Sequence, residues 1–305
     1  MITRPQNPSI AVLLFSLKGS IVTAIWRKVL FTVLISSAVV ATHGTFYHYK
    51  VTLTATPFTL WGLTLAICLG FRNTVAYQRF WEARMLWGEL MIVTRNLTRQ
   101  MLTLLPNAQP EPRREALNLL IGFGYTLKDQ LRGDASGADL QRLLDEPTRR
   151  DVLSKQNPSS AVLHRLAERV SGVARQAGAS DMVQVHLDEQ VTRLSYVLGG
   201  CERIKNTPIP YPYILMLHRI VHLYCFLLPF CLVDAIGWFT PLAVCVLAYT
   251  FFGLDALGDQ IADPFDTLPN DLPLNAMCRS QEIAVLEMLG EPAPAAPQPV
   301  DGVLM

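Results

Sequence analysis

Four long apolar runs limit what this chain can become. They are Val29 to Phe46 (VLFTVLISSAVVATHGTF), Leu53 to Phe71, Tyr213 to Val233 and Phe239 to Leu254. A helix rises ~1.5 Å per residue, so roughly 20 apolar residues cross ~30 Å of hydrocarbon. A backbone in lipid must satisfy its own hydrogen bonds, which makes helices the form such runs take. The fourth run is short and borrows Trp238 and Gly253 to Leu257 at its ends. The third contains His218 and Arg219, so one face of it must turn away from lipid. Its Pro229 removes a backbone hydrogen bond and should kink the helix, as a hinge or as a packing feature.

Composition agrees with a membrane chain carrying a polar insert. Half of the 305 residues are hydrophobic and only 17% are charged, with a mean hydropathy of +0.27; a chain folding in water is usually more charged. A net charge of +1 offers nucleic acid no basic face, so no nucleic-acid partner is expected. The six cysteines form no CxxC pair and no framework spacing, which predicts neither disulfides nor a zinc site. Lys18 interrupts the first apolar stretch and no small-residue cleavage pattern follows, so a cleaved signal is not expected.

Lysine and arginine in the short flanks set the orientation. Arg4, Lys18, Arg27 and Lys28 precede the first run, and only Lys50 lies between the first and second. Arg72, Arg79 and Arg84 follow the second, Arg203 and Lys205 precede the third, and the turn around Asp234 has none. Both termini and the middle region are therefore expected in the cytoplasm of a multi-pass protein of the bacterial inner membrane. The expected divisions are a cytosolic or interfacial segment over 1–28, two spans over 29–84 and a cytosolic helical region over 85–208. Two further spans over 209–258, a cytosolic segment over 259–290 and a Pro/Ala-rich tail over 291–305 complete the chain. Within 1–28, SIAVLLFSLKGSIVTAIW is apolar enough to lie along the membrane face with Trp26 as anchor; packing as a loop on cytosolic helices is the other reading. The middle region carries apolar stripes of period 3.6, separated by PNAQPEP, RGDASG, QNPSS and QAGAS. The tail EPAPAAPQPVDGVLM reads as disordered or laid extended on the surface. No internal repeat is visible.

Chemistry-bearing patterns are few. His218 and His222, four apart, could face one metal, yet Arg219 stands where HExxH needs Glu and disfavours a divalent cation. The acidic stretch holding Asp255, Asp259, Asp263, Asp266 and Asp271 has enough oxygens for a hard cation, but not the spacing of an EF-hand. Turn and capping chemistry is the other reading, through Asp263-Pro264 and Pro269-Asn270-Asp271. There is no GxSxG, P-loop or GxGxxG, so hydrolase, NTPase and dinucleotide readings have no foothold; no cofactor is expected.

The second run carries two stripes at helical spacing. Gly62, Ala66 and Gly70 are small and invite a close helix neighbour, while Leu63, Ile67 and Phe71 beside them are bulky. The bulky stripe faces lipid, protein or water, and periodicity alone does not choose. Repeated around an axis, it would form stacked apolar rings able to gate a pore by dewetting.

Several long motifs occur in one order. They are MITRP, PF-x-LWG-x-x-x-A-x-x-LGFRN-x-x-x-Y-x-RFWEAR-x-LWG at 57–88, VLGGCERI-x-x-TPIPYPY at 197–213, LLPF at 227–230 and DPFDTLPNDLPLNAMCRSQE at 263–282. With these motifs the chain resembles prokaryotic bestrophins nearly end to end. The resemblance implies an all-α homopentameric ion channel, with four membrane helices and a cytosolic helical bundle per subunit. It implies a neck of Leu63, Ile67 and Phe71 and a cytosolic aperture at Met182, with Asp181 beside it as a negative charge or an N-cap. Arg72, Asn73, Arg79 and Glu82 would then tie the base of the second span to neighbouring helices as a salt-bridged belt. Animal members have a dense acidic clasp activated by calcium; DPFDTLPND is a diluted version, which puts calcium gating in doubt. The expected partners are further copies of the chain, membrane lipids and permeating monovalent ions. Cations such as sodium and potassium are the first expectation and chloride-like anions the alternative; the rivals are a membrane-bound enzyme or metal-binding protein and a non-conducting scaffold.

Overall fold

A computed structural model describes residues 16, 19–42, 45–46, 49–50, 53–134, 136–300 and 302–304. The MITRP start and most of the expected interfacial segment lie outside them. Nine α-helices account for most of the described residues: α1 Val22–Ala41, α2 Ala55–Thr103, α3 Pro110–Arg132, α4 Glu146–Leu153, α5 Pro158–Gln176, α6 Asp181–Asn206, α7 Tyr211–Ile236, α8 Thr240–Ala262 and α9 Leu274–Leu289. Their β-structure is a two-residue hairpin, Thr45–Phe46 paired with Tyr49–Lys50, between α1 and α2, and a Val300–Val303 bridge.

Two boundaries differ from the hydropathy reading. α1 begins at Val22 rather than Val29; just ahead of it the Ser20 hydroxyl accepts from the Val22 N–H at 3.3 Å. Val22 to Trp26, expected at the end of an interfacial segment, are thus continuous with the helix that carries the first apolar run. α1 stops at Ala41 rather than Phe46, where the Thr42 hydroxyl donates to the carbonyls of Ala38 and Val39 at 3.1 and 3.2 Å. Conversely, α2 does not stop at Phe71. No proline interrupts the sequence between Pro57 and Pro106, so one helix of 49 residues carries the second run onward into polar sequence. α7 continues through Pro229 and meets α8 across a 3₁₀ turn, Gly237–Phe239, in which Gly237 takes a φ of +50°. Val22–Ala41, Thr56–Thr103 and the α7–α8 stretch Tyr211–Ala262 are long and apolar enough to cross a membrane.

The chain divides into two units. One holds the described residues up to Phe80 together with Pro208–Asp263, which places α1, the first half of α2, α7 and α8 together. Its apolar core gathers Phe58, Leu65, Leu69, Tyr224, Val244 and Phe252. Phe58 stacks on Tyr224 at 4.6 Å between centroids, and Gly62 lets that ring close on α2: a Cβ there would sit 2.5 Å from the Tyr224 hydroxyl oxygen.

The other unit holds Trp81–Thr207 and the described residues from Pro264 onward. Two neighbouring polar side chains of α9 are buried in it. The Gln281 amide donates to Thr94 Oγ1 and to the Leu120 carbonyl, each at 3.0 Å, and Gly124 provides the space. Glu282 receives Arg142 and, at 2.8 Å, the Tyr125 hydroxyl. Burial and this carboxylate push the Tyr125 hydroxyl well above its ordinary pKa. The tail adds no helix; Pro297 and Leu304 line a cleft with α2 and α9, so its described part lies on the surface.

Between α8 and α9 the chain turns on Asp271, whose carboxylate accepts from the Leu268 N–H at 2.7 Å. Burial pushes its carboxyl up to about 6, with the Leu268 hydrogen bond opposing. The folded chain therefore holds this proton more tightly than the unfolded one. Its contribution to stability is greatest below the ordinary carboxylate value of about 4 and declines as pH rises to about 6. Asp271→Asn should match or exceed the parent melting temperature at neutral pH and lose part of the fall in stability between about pH 4 and about pH 6. Thermal melts across that range test this; identical slopes for parent and variant would remove Asp271 as the cause.

Candidate functional site

Successive residues of an α-helix are turned by about 100°, so the faces of α2 follow from numbering. Set Leu63 at zero; Ile67 and Phe71 then lie at about 40° and about 80°, while Leu65, Leu69, Arg72 and Ala76 cluster near about 180–240°. The burial pattern has the same sense. Leu65, Leu69, Arg72 and Ala76 are buried, whereas Leu63, Ile67 and Phe71 are 59%, 50% and 66% exposed on the single chain. Below Phe71 this exposed face turns polar, at Thr74 and Gln78.

The small stripe behaves differently from its sequence reading. Each four-residue step rotates it by about 40°, from beside the buried face at Gly62 toward the bulky stripe at Gly70. Gly62 is packed under Tyr224, Ala66 is exposed, and a Cβ at Gly70 would meet nothing within 4 Å. Only the first of the three serves a helix contact within the chain.

What fixes the rotation of α2 is Arg72. Its guanidinium is 1% exposed and donates to Asp255 Oδ1 at 2.6 Å and to Asp259 Oδ1, both on α8. His218 on α7 completes the cluster, with Nδ1 2.7 Å from Asp255 Oδ2 and Nε2 3.4 Å from Asp259 Oδ2. Gly258 on α8 leaves the space that Asn73 fills, and a Cβ there would strike the Asn73 side-chain oxygen. Three helices are therefore joined by charge within an apolar unit, where a missing partner is costly.

The other expected belt residues make separate contacts. Arg79 Nε donates to the Ala262 carbonyl at 3.1 Å, the Asn73 side-chain oxygen is buried without a hydrogen-bond partner, and Glu82 pairs with Arg203 on α6. Met182 is 70% exposed on the first turn of α6. Asp181 is exposed too, as the first residue of α6; Ser180 holds the cap position, so Asp181 is not the N-cap.

The weak metal candidates are not brought together. Asp266 and Asp271 hydrogen-bond backbone N–H groups in their own turn, and Asp263 ends α8. His222 is exposed, its Nδ1 2.7 Å from the His218 carbonyl oxygen. Among the described residues one group could converge on a cation, His218 with Asp255 and Asp259, and the Arg72 guanidinium already lies between those carboxylates. Asp255 and Asp259, four apart on one helix face, are the residues whose role the sequence reading missed. Their intervals of 183 and 187 residues from Arg72 leave no spacing signal.

A largely helical membrane protein whose second long helix presents an exposed apolar stripe, anchored from behind by a charge cluster around the buried Arg72 and Asp255, is the class that these features define. Residues 1–287 match the model of the bacterial/fungal bestrophin family. The chain is 39% identical over 295 residues to the voltage-dependent anion channel-forming protein mll4386 of Mesorhizobium japonicum, covering 96% of this chain and 94% of that one. It is 38% identical over 291 residues to the voltage-dependent anion channel-forming protein YneE of Escherichia coli K12, covering 95% of each. A crystal structure of a bestrophin homologue from Klebsiella pneumoniae superposes with a TM-score of 0.84 at 40% identity, over 88% of this chain and 99% of that one. The chain belongs to the bestrophin family of ion channels, whose members are not enzymes.

Removing Arg72 takes the guanidinium away from the buried Asp255 carboxylate. Arg72→Gln should destabilise the fold by about 3–5 kcal/mol, the usual cost of orphaning a buried charge. The readout is the midpoint of thermal unfolding in detergent. An unchanged midpoint would mean that the cluster does not hold α2.

Proposed function

We propose that five copies of this chain surround a pore in the bacterial inner membrane and conduct small monovalent ions passively. α1, the first part of α2, α7 and α8 serve as the four spans, with both termini in the cytoplasm. The positive residues flanking the apolar runs support that orientation. The observation that carries the proposal is the exposed face of α2. Leu63, Ile67 and Phe71 stand outward over ~12 Å of helix while Arg72 holds the opposite face inside the subunit. Repeated around an axis, they make three stacked apolar rings, a constriction that water and ions cross only when it is wetted. Ala66 and Gly70, left open beside them, would let the α2 helices of adjacent copies approach. Met182 serves as the cytosolic aperture.

Apolar rings carry no charge sign, so selectivity must come from the groups that flank them. The anion reading takes precedence over the cations expected from sequence, because relatives of 38–39% identity bear the name of anion channel-forming proteins. One local feature favours cations: the exposed carboxylate of Asp181 beside Met182 would ring an aperture with negative charge.

Two recordings on reconstituted protein test these statements. Replacing Leu63, Ile67 and Phe71 together by Ala should raise single-channel conductance at least about twofold, since the narrowest rings lose most of their bulk. Unchanged conductance would put the stripe against lipid or in packing. In asymmetric NaCl the reversal potential should move toward the chloride equilibrium value; movement toward the sodium value would install the cation reading with Asp181, and no current would end the channel proposal.

A further inference from the structure

Arg219 is the one arginine of the apolar helix α7, and it is not used in the Arg72 cluster. It is exposed on α7 and has no carboxylate partner among the described residues. A cation held at membrane depth needs an anion, and one that finds none in its own chain must take it from outside.

The surroundings of Arg219 specify that anion. It lines a groove of about 580 Å³ together with Lys28 of α1 and His222, one turn further along α7. Lys28 is also without a carboxylate partner; its ammonium lies 5.7 Å from the Phe252 ring centroid, and His222 lies 5.0 Å from that ring. Lys28 and Arg219 each come first along their helices, so the groove has one cationic end. Away from that end its walls become apolar, with Phe31 and Ile35 on α1 and Leu223 and Phe226 on α7. Phe31, Leu223 and Phe226 are 62%, 50% and 46% exposed, so the groove is not closed by the chain itself.

We propose that this groove binds an anionic phospholipid, its headgroup phosphate between Lys28 and Arg219 and an acyl chain along Phe31, Ile35, Leu223 and Phe226. A free phosphate would satisfy the cations and leave the apolar wall uncovered. A zwitterionic lipid would cover the wall but bring a competing ammonium to the two cations. Only an anionic amphiphile matches both ends. The proposal rests on the membrane setting of the family and not on the pore reading.

Native mass spectrometry of the detergent-purified, full-length protein tests it, after incubation with equimolar phosphatidylglycerol and phosphatidylcholine. The parent should retain phosphatidylglycerol in preference, and the double variant Lys28→Gln/Arg219→Gln should lose affinity by roughly fivefold per cation, about twenty-fivefold in all. Lys28→Arg/Arg219→Lys, which keeps both charges, should retain the lipid and guards against misreading a misfolded variant. Equal retention of the two lipids by the parent, or undiminished retention by the Gln variant, would overturn the proposal. So would displacement by millimolar inorganic phosphate, which marks a free-anion site, or a Gln variant that dissociates into single chains yet keeps its lipid, which marks a groove occupied by a neighbouring copy.

Discussion

A guanidinium taken out of water governs the membrane unit. Burying Arg72 alone would cost several kcal/mol, so it is tolerable only with well-placed partners. Asp255 and Asp259 supply them from one face of α8, and His218 reaches both carboxylates from α7. Such pairs have little tolerance for rotation: turning α2 by one residue, about 100°, would pull the guanidinium out of the cluster. The contact that binds the helices thus also dictates which residues of α2 look outward. Gly258 is part of the arrangement, because a side chain there would collide with the Asn73 side-chain oxygen beside Arg72.

The other unit uses the same device at a different place. Glu282 is buried under Arg142 and the Tyr125 hydroxyl, and Gln281 beside it is bonded across to α2 and α3. Apolar burial supplies most of the favourable free energy in both units but is indifferent to small slips between helices. Buried polar groups with several required partners are not, which is how each unit holds one helix register. On α7, Arg219 extends the logic outward: it has no carboxylate partner among the described residues, and the proposed lipid phosphate would take that place.

How much of this was legible from sequence depends on the range of the signal. The spans are visible because hydrocarbon thickness sets a length, and the bulky stripe because helical period sets a face. Hydropathy does not show the ends of α1, because local hydrogen bonds, to Ser20 at one end and from Thr42 at the other, accompany its start and stop. The apolar run of α2 ends at Phe71, where the composition changes, yet no residue there breaks the helix. The small stripe looked like one surface, but a four-residue repeat drifts around a helix, so that Gly62 is covered and Gly70 is open. The Arg72 cluster had no local signature: its acids read as a diffuse acidic stretch, and only folding brings them to a residue 183 positions away. Ion selectivity was the least legible, since Leu63, Ile67 and Phe71 carry no charge.

The central claim is that the face opposite Arg72 is wet. Single cysteines at Leu63, Ile67 and Phe71, treated in a bilayer with a charged, membrane-impermeant methanethiosulfonate, test it directly, with the parent as control for its native thiols. The account predicts that each modification reduces the current while the parent stays unaffected. Cysteines that react only with a lipid-soluble reagent, with no change in current, would place the stripe in lipid and contradict it.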